Sequence, residues 1–151
     1  MQKIYETGAQ LAATKGLQQG PSGWLTITQE MIDKFAEASG DYQWIHCDPE
    51  RAVKEAPGGK TIAHGFLVLS LISTLQPDIY VVNSRSILNV GVDRLRFLAP
   101  VPVGSRIRLW MEILDSEPKG EGIRIPGRAT FEIEGSDKPA MIADLILLYF
   151  D

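Results

Sequence analysis

The sequence predicts an α+β fold, in which a twisted antiparallel sheet wraps around one buried helix. Two observations point to it. "HGFLVLSLISTL" (64–75) is apolar on nearly every side, as a helix enclosed by other elements must be. After Pro77 the chain reads as β-rich runs separated by Gly, Pro and Asp turns, with alternation clearest in "RIRLWMEI" and "ATFEIEG". Alternation gives each strand a dry and a wetter face, and the apolar helix is the natural cover for the dry one.

The elements follow in order. Residues 1–20 are weakly patterned and partly helical, and "GPSG" (20–23) is a turn. "WLTIT" (24–28) is a short strand whose last residue, Thr28, caps a helix over 29–39, with Glu30 favourable in its first turn. Met31, Ile32, Phe35, Ala36 and Ala38 form that helix's apolar stripe. Gly40 ends it, because glycine tolerates the left-handed conformation a helix end demands. Asp48 and Pro49 are an N-cap and first-position pair for "PERAVKEA", which "PGGK" (57–60) ends in a loop. The long helix comes next. The strands are "IYVVN", "SILNVGVDRLRFL", "SRIRLWMEILDS", "GIRIPGRATFEIEG" and "AMIADLILLYF", about five antiparallel runs. No repeat, low-complexity tract or linker interrupts the chain, so 1–151 is expected to be one domain.

A chain of 151 residues buries roughly 70% of its unfolded surface, so it needs no metal or disulfide staple. The net charge of −4 argues against a general nucleic-acid partner. The single cysteine, Cys47, excludes an intrachain disulfide and fits a reducing compartment. The N-terminus lacks the apolar run of a secretory signal, and "FLVLSLIS" and "MIADLILLYF" are too short to span a bilayer. The expectation is a cytoplasmic protein with no membrane partner.

The chemistry is concentrated in "SGDYQWIHCD" (39–48). Gly40 turns the chain, and Asp41 and His46 follow on what reads as non-helical backbone, close enough to fold toward one point. An acid and an imidazole meeting at one water can take a proton from it and supply one to carbon. The pattern alone equally allows Asp41 to cap a turn and His46 to be a satisfied loop histidine. In "TIAHGFL" (61–67), His64 and Gly65 open the buried helix. The first backbone N–H groups of a helix are unpaired, glycine permits close approach, and the dipole favours negative charge. Together they could form an oxyanion hole at Gly65; close packing would also explain the glycine. His64 reads as a helix cap, since nothing in the sequence supplies it with a partner. Cys47 is not expected to act as a nucleophile, because neighbours on extended backbone point to opposite sides. No metal site is expected: His46, Cys47, Asp48 and His64 lack ligand-pair spacing. Trp24, Trp44 and Trp110 read as core or interface residues.

Three blocks in order carry a family resemblance. "FAEASGDYQWIHCDPERA", "GGKTIAHGFLVLSLI" and "VDRLRFLAPVPVGSRIRL" resemble the conserved blocks of MaoC-like dehydratases, the group containing (R)-specific enoyl-CoA hydratases. "GDYQWIHCDPERA" is most similar to the branch named after nodulation protein N. The resemblance implies a hot-dog fold and a homodimer whose sheets join edge to edge. It also implies catalytic roles for Asp41 and His46 and an oxyanion role for the Gly65 N–H. The reaction implied is reversible syn addition of water to a trans-2-enoyl thioester, giving the (R)-3-hydroxyacyl thioester without a cofactor. Gln43 and Trp44 stand where the commoner motif has Asn-Pro. Gln43 would keep the amide hydrogen bonding. Trp44 would either wall the acyl pocket or pack under the loop. With His64 they make up the expected substrate contacts. A hot-dog thioesterase and a non-catalytic acyl-binding subunit are the competing classes, because one fold hosts several functions. The carrier, CoA or acyl carrier protein, stays open. Arg85, Arg94, Arg96, Arg124 and Arg128 could meet its phosphates or simply be solvated.

Overall fold

The computed structural model describes residues 2–151 and begins with short elements. These are strand β1 (Lys3–Tyr5), helix α1 (Gly8–Ala12) and strands β2 (Gln18–Gln19) and β3 (Leu25–Thr26). Helix α2 (Gln29–Ser39) starts and stops as its caps dictate. Thr28 Oγ1 accepts from the Met31 N–H at 3.2 Å, and Gly40 closes the helix at φ 79°. Ile32 and Ala36 are buried and Met31 and Phe35 half-buried, but Ala38 is exposed and falls outside the stripe.

The stretch after Gly40 is not wholly non-helical. Helix α3 (Trp44–Cys47) is a single turn containing His46. The Gln43 carbonyl accepts from the N–H of both His46 (3.0 Å) and Cys47 (3.2 Å), which winds the turn. Helix α4 (Pro49–Glu55) follows, with Asp48 Oδ1 accepting from the Arg51 N–H at 3.0 Å.

The central helix differs from expectation in three ways. It is divided into α5 (Gly65–Ser70) and α6 (Ile72–Ile79) at a tightened turn, where the Leu71 N–H reaches both the Leu67 and Val68 carbonyls at 3.1 Å. It runs through Pro77 to Ile79. Ile72, Leu75 and Ile79 stay buried on one face, and the carbonyl that Pro77 cannot serve belongs to exposed Ser73, where water can replace the lost donor. Nor is it covered on most sides: Ser70, Ser73 and Thr74 are exposed and Phe66 is 65% exposed, because the sheet curves around one side only.

The remaining strands are β4 (Tyr80–Val82), β5 (Ser86–Phe97), β6 (Arg106–Ile113), β7 (Glu117–Lys119), β8 (Gly122–Ile133) and β9 (Met141–Phe150). The main sheet is antiparallel in the order β2-β6-β8-β9-β5, with β3 also on β6 and β7 on β8. The expected strand "IYVVN" does not join it; β4 pairs in parallel with β1 instead. Ile107, Leu109 and Met111 of β6, Phe131 of β8 and Met141 and Ala143 of β9 pack with Leu67, Val68, Leu71 and Leu75 of the helix in one core. This is the hot-dog arrangement. Among the described residues no helix is long and apolar enough to cross a membrane.

Strand β5, at the sheet's edge, carries two bulges against β9, at Asn89–Gly91 and Asp93–Arg96. Each inserts one residue and so reverses which side chains face the helix. Ile87 and Asn89 face inward, then Val92, and then Phe97, which meets Gly65. Arg94 takes the second bulge at φ 51°. Without that bulge Arg96, not Phe97, would point at the start of α5.

Candidate functional site

Residues from segments 35–46 and 64–66 meet Phe97 at one pocket of about 430 Å³. Asp41 reaches it through a tight local turn. Ser39 Oγ donates to the Phe35 carbonyl at 2.7 Å and accepts from the Asp41 N–H at 3.2 Å, and Asp41 Oδ1 accepts from the Gln43 N–H at 3.3 Å. The carboxylate itself stays exposed.

His46 is buried, with Nδ1 2.7 Å from the Ile62 carbonyl oxygen. A carbonyl can only accept, so Nδ1 carries the proton and Nε2 of the neutral ring is left as a lone pair. His64 is buried too, and although it stands at the N-cap position of α5, its side chain makes no capping hydrogen bond. Its Nε2 lies 2.9 Å from the Asp41 carbonyl oxygen, and its ring stacks on His46 with centroids 3.9 Å apart at 25°. The partner that the sequence did not supply comes from a segment 23 residues away. One ring nitrogen of each histidine and a carboxylate oxygen of Asp41 lie within 4.8 Å of one another. By donor type these three could also hold a divalent ion of the zinc class.

Gly65 is the first residue of α5. A Cβ there would lie 2.8–3.0 Å from three ring atoms of Phe97, so any larger residue must displace that ring and close packing favours glycine. As the first helical residue it also has a backbone N–H with no intrahelical acceptor. Two further cavities adjoin the pocket. One of about 250 Å³ shares His46, Gly65 and Phe97 and runs over Ala63, Val68 and Ala140. The other, about 530 Å³, shares Phe66 and follows the open helix face past Leu69, Ile72, Tyr80 and Leu145.

Gln43 and Trp44 do not line this pocket, although the Gln43 N–H bonds the Asp41 carboxylate. Gln43 is exposed and contributes its backbone carbonyl to the α3 turn. Trp44 is half-buried, with the Arg51 guanidinium 4.2 Å from its ring centroid. It lines a separate cavity of about 200 Å³ with Pro57, Lys60 and Pro100. The Cys47 thiol is pushed up by burial, and further by the charges of Asp33 and Asp41, so it stays a poorly nucleophilic thiol.

Sequence reading missed the residues that brace the site. Gln29 Nε2 donates to the His46 carbonyl at 2.7 Å, while its Oε1 accepts from Thr61 Oγ1 at 2.6 Å. The Ile62 N–H donates to the Ile45 carbonyl at 3.0 Å. A polar residue at the first position of a helix gives no signal that it will reach a turn 17 residues later.

Fold and pocket together define the class, a hot-dog protein with an acid and an imidazole brought together at the start of its central helix. The MaoC-like domain family matches residues 11–129, and the chain belongs to the MaoC-like dehydratase family. It is 46% identical over 149 residues to 3-hydroxyacyl-thioester dehydratase Z of Mycobacterium tuberculosis, covering 97% of this chain and 98% of the relative. It is 41% identical over 140 residues to nodulation protein N of Rhizobium leguminosarum, covering 90% and 87%. Among solved structures, the R-hydratase PhaJ1 of Pseudomonas aeruginosa shares its fold, with a TM-score of 0.67 and 23% identity over 91% of this chain and 82% of that one.

Proposed function

We propose that the protein catalyses the reversible hydration of a trans-2-enoyl thioester to the (R)-3-hydroxyacyl thioester, with Asp41 and His46 as the acid–base pair. The observation behind this is the meeting of the Asp41 carboxylate and a His46 ring nitrogen within 4.8 Å, in the pocket that Gly65 borders. The name of the Mycobacterium tuberculosis relative, a 3-hydroxyacyl-thioester dehydratase, supports the substrate class. A water between the two groups would donate its hydrogens to the carboxylate and to the His46 lone pair. As one proton is taken, the hydroxyl adds to the β-carbon, and the pair returns a proton to the α-carbon. Both additions come from one wall of the pocket, so they reach the same face of the double bond. The Gly65 N–H would hold the thioester oxygen as it gains enolate charge. Water is split between two carbons with no net electron transfer, so side chains suffice.

The protein is further proposed to work as a homodimer. Strand β5 leaves one edge of the main sheet open, with Ile87, Leu88 and Val90 exposed, and Phe66 is exposed on the helix. An open apolar edge invites pairing, and a second copy would cover it. A monomer in light scattering at micromolar concentration would rule this out.

The deciding experiment is a hydration assay on enoyl-CoA thioesters of several chain lengths, followed by loss of the conjugated absorbance. Turnover to the 3-hydroxyacyl product is expected. Release of free thiol without hydration would instead assign a thioesterase.

A further inference from the structure

Resting on that reading, we infer that His64 is a positioning residue that locks Asp41 and His46 into one geometry, and not a substrate contact. His64 is only 3% exposed. Its Nε2 faces the Asp41 carbonyl oxygen at 2.9 Å, and because a carbonyl only accepts, Nε2 carries the proton. That bond anchors the backbone of the acid. The face of the same ring stacks on His46 at 3.9 Å, which fixes the plane of the base. Phe35 closes on His64 at 4.8 Å and keeps it from turning away.

The other nitrogen, Nδ1, is buried with no hydrogen-bond partner among the described residues. Leaving a buried acceptor unpaired costs stability. A residue serving only the fold would do better as an apolar ring or as a paired histidine. The arrangement instead gives a ring that touches both halves of the proposed pair. His46 is already tied on its other side, through Nδ1 to Ile62. His64, 18 residues further along the chain, thus completes its orientation and couples it to Asp41. Groups misplaced by about 1 Å lose on the order of 10²-fold in rate, so such a brace acts on turnover and not on binding.

Two variants separate its two contacts. His64→Gln keeps an amide donor near the Nε2 position and loses the stacked ring. His64→Phe keeps the ring and loses the donor. Each is measured for kcat and KM on trans-2-butenoyl-CoA, and for binding of butanoyl-CoA, which cannot be hydrated. Circular dichroism selects the folded variants, and either one alone decides. The expected result is a kcat lowered about 10-fold or more, with KM and the butanoyl-CoA Kd within about 3-fold of the parent. In a His46→Gln background, the same change should cost less than about 3-fold further, since the brace acts through the residue already removed. A raised KM and Kd with kcat retained would make His64 a substrate contact and overturn the inference. So would an unchanged kcat in an active parent. A parent that hydrates no enoyl-CoA overturns the functional reading, and this inference with it.

Discussion

Two polar clusters in this molecule each set carboxylates beside nitrogen-bearing side chains, but one is closed by its own hydrogen bonds and the other is open. On the outer face of the sheet, Arg128 donates to both oxygens of Asp144, through Nε at 2.7 Å and Nη2 at 3.0 Å. One strand over, Arg108 does the same to Glu132, which also accepts from Trp110 Nε1 at 2.9 Å. The partners sit directly opposite in the strand register, Arg128 on Asp144 and Arg108 on Glu132. The Arg108 guanidinium lies 4.4 Å from the Trp24 ring centroid as well. There the donors and acceptors close on one another. At the Asp41 pocket they do not: the carboxylate is exposed, His46 keeps a free lone pair, and His64 Nδ1 has no partner among the described residues. A satisfied network holds structure together; open valences are what a reaction can use.

The comparison breaks most visibly at the pocket. Asp41→Asn and His46→Gln preserve shape and remove proton transfer. Each is expected to lower hydration by about 10² or more with little change in melting temperature. The double variant should lose far less than the product of the two effects, since the groups act as a unit. Near-normal turnover in either single variant would end the assignment.

The outer face should respond in the reverse way. Asp144→Ala strips a buried carboxylate from Arg128, whose side chain is 35% exposed and so partly rescued by water. A loss of about 2 kcal/mol in urea denaturation is expected, with turnover per folded molecule unchanged. Lost activity without lost stability would contradict the division drawn between the clusters.

Trp44 tests the boundary between them. Its ring sits under Arg51 and lines a cavity separate from the Asp41 pocket. Being half-buried, it should cost about 2 kcal/mol on change to Ala, less than a fully buried tryptophan. The kcat/KM ratio between long and short enoyl thioesters should stay within about 2-fold, whereas a pocket wall would shift it about 10-fold or more.

The smallest effect is a pH dependence at Glu132. Hydrogen bonds from Arg108, and then from Trp110, hold its carboxyl below the ordinary 4.5. The unfolded chain therefore binds that proton more readily, and the contribution is whole above about pH 4.5 and lost as pH falls through the lower folded value. Glu132→Gln should destabilise by about 0.5 kcal/mol at neutral pH. The gap from the parent should close on acidification below about pH 4, measured by denaturation at each pH. A constant gap would assign the loss to packing.

By itself the sequence determined whatever depends on neighbours along the chain. Thr28 and Gly40 bound α2 because a cap and a left-handed residue act within one turn. Asp48 and Pro49 start α4 for the same reason. Alternation marked β6 and β8 because side chains on a strand change face at every residue. The ordered blocks around Asp41, His46 and Gly65 brought the pocket's residues into view. Only the tertiary structure decided which atoms meet. The His46–His64 stack and the Gln29–Thr61 brace join residues 18 and 32 positions apart, and no local propensity encodes such contacts. The two β5 bulges that turn Phe97 toward Gly65 depend on pairing with β9. Trp44 turns away from its sequence neighbours because a one-turn helix, and not extended chain, carries it. Which ring nitrogen of His46 is free follows from a carbonyl at Ile62, which reaches the ring only once the chain has folded back on itself.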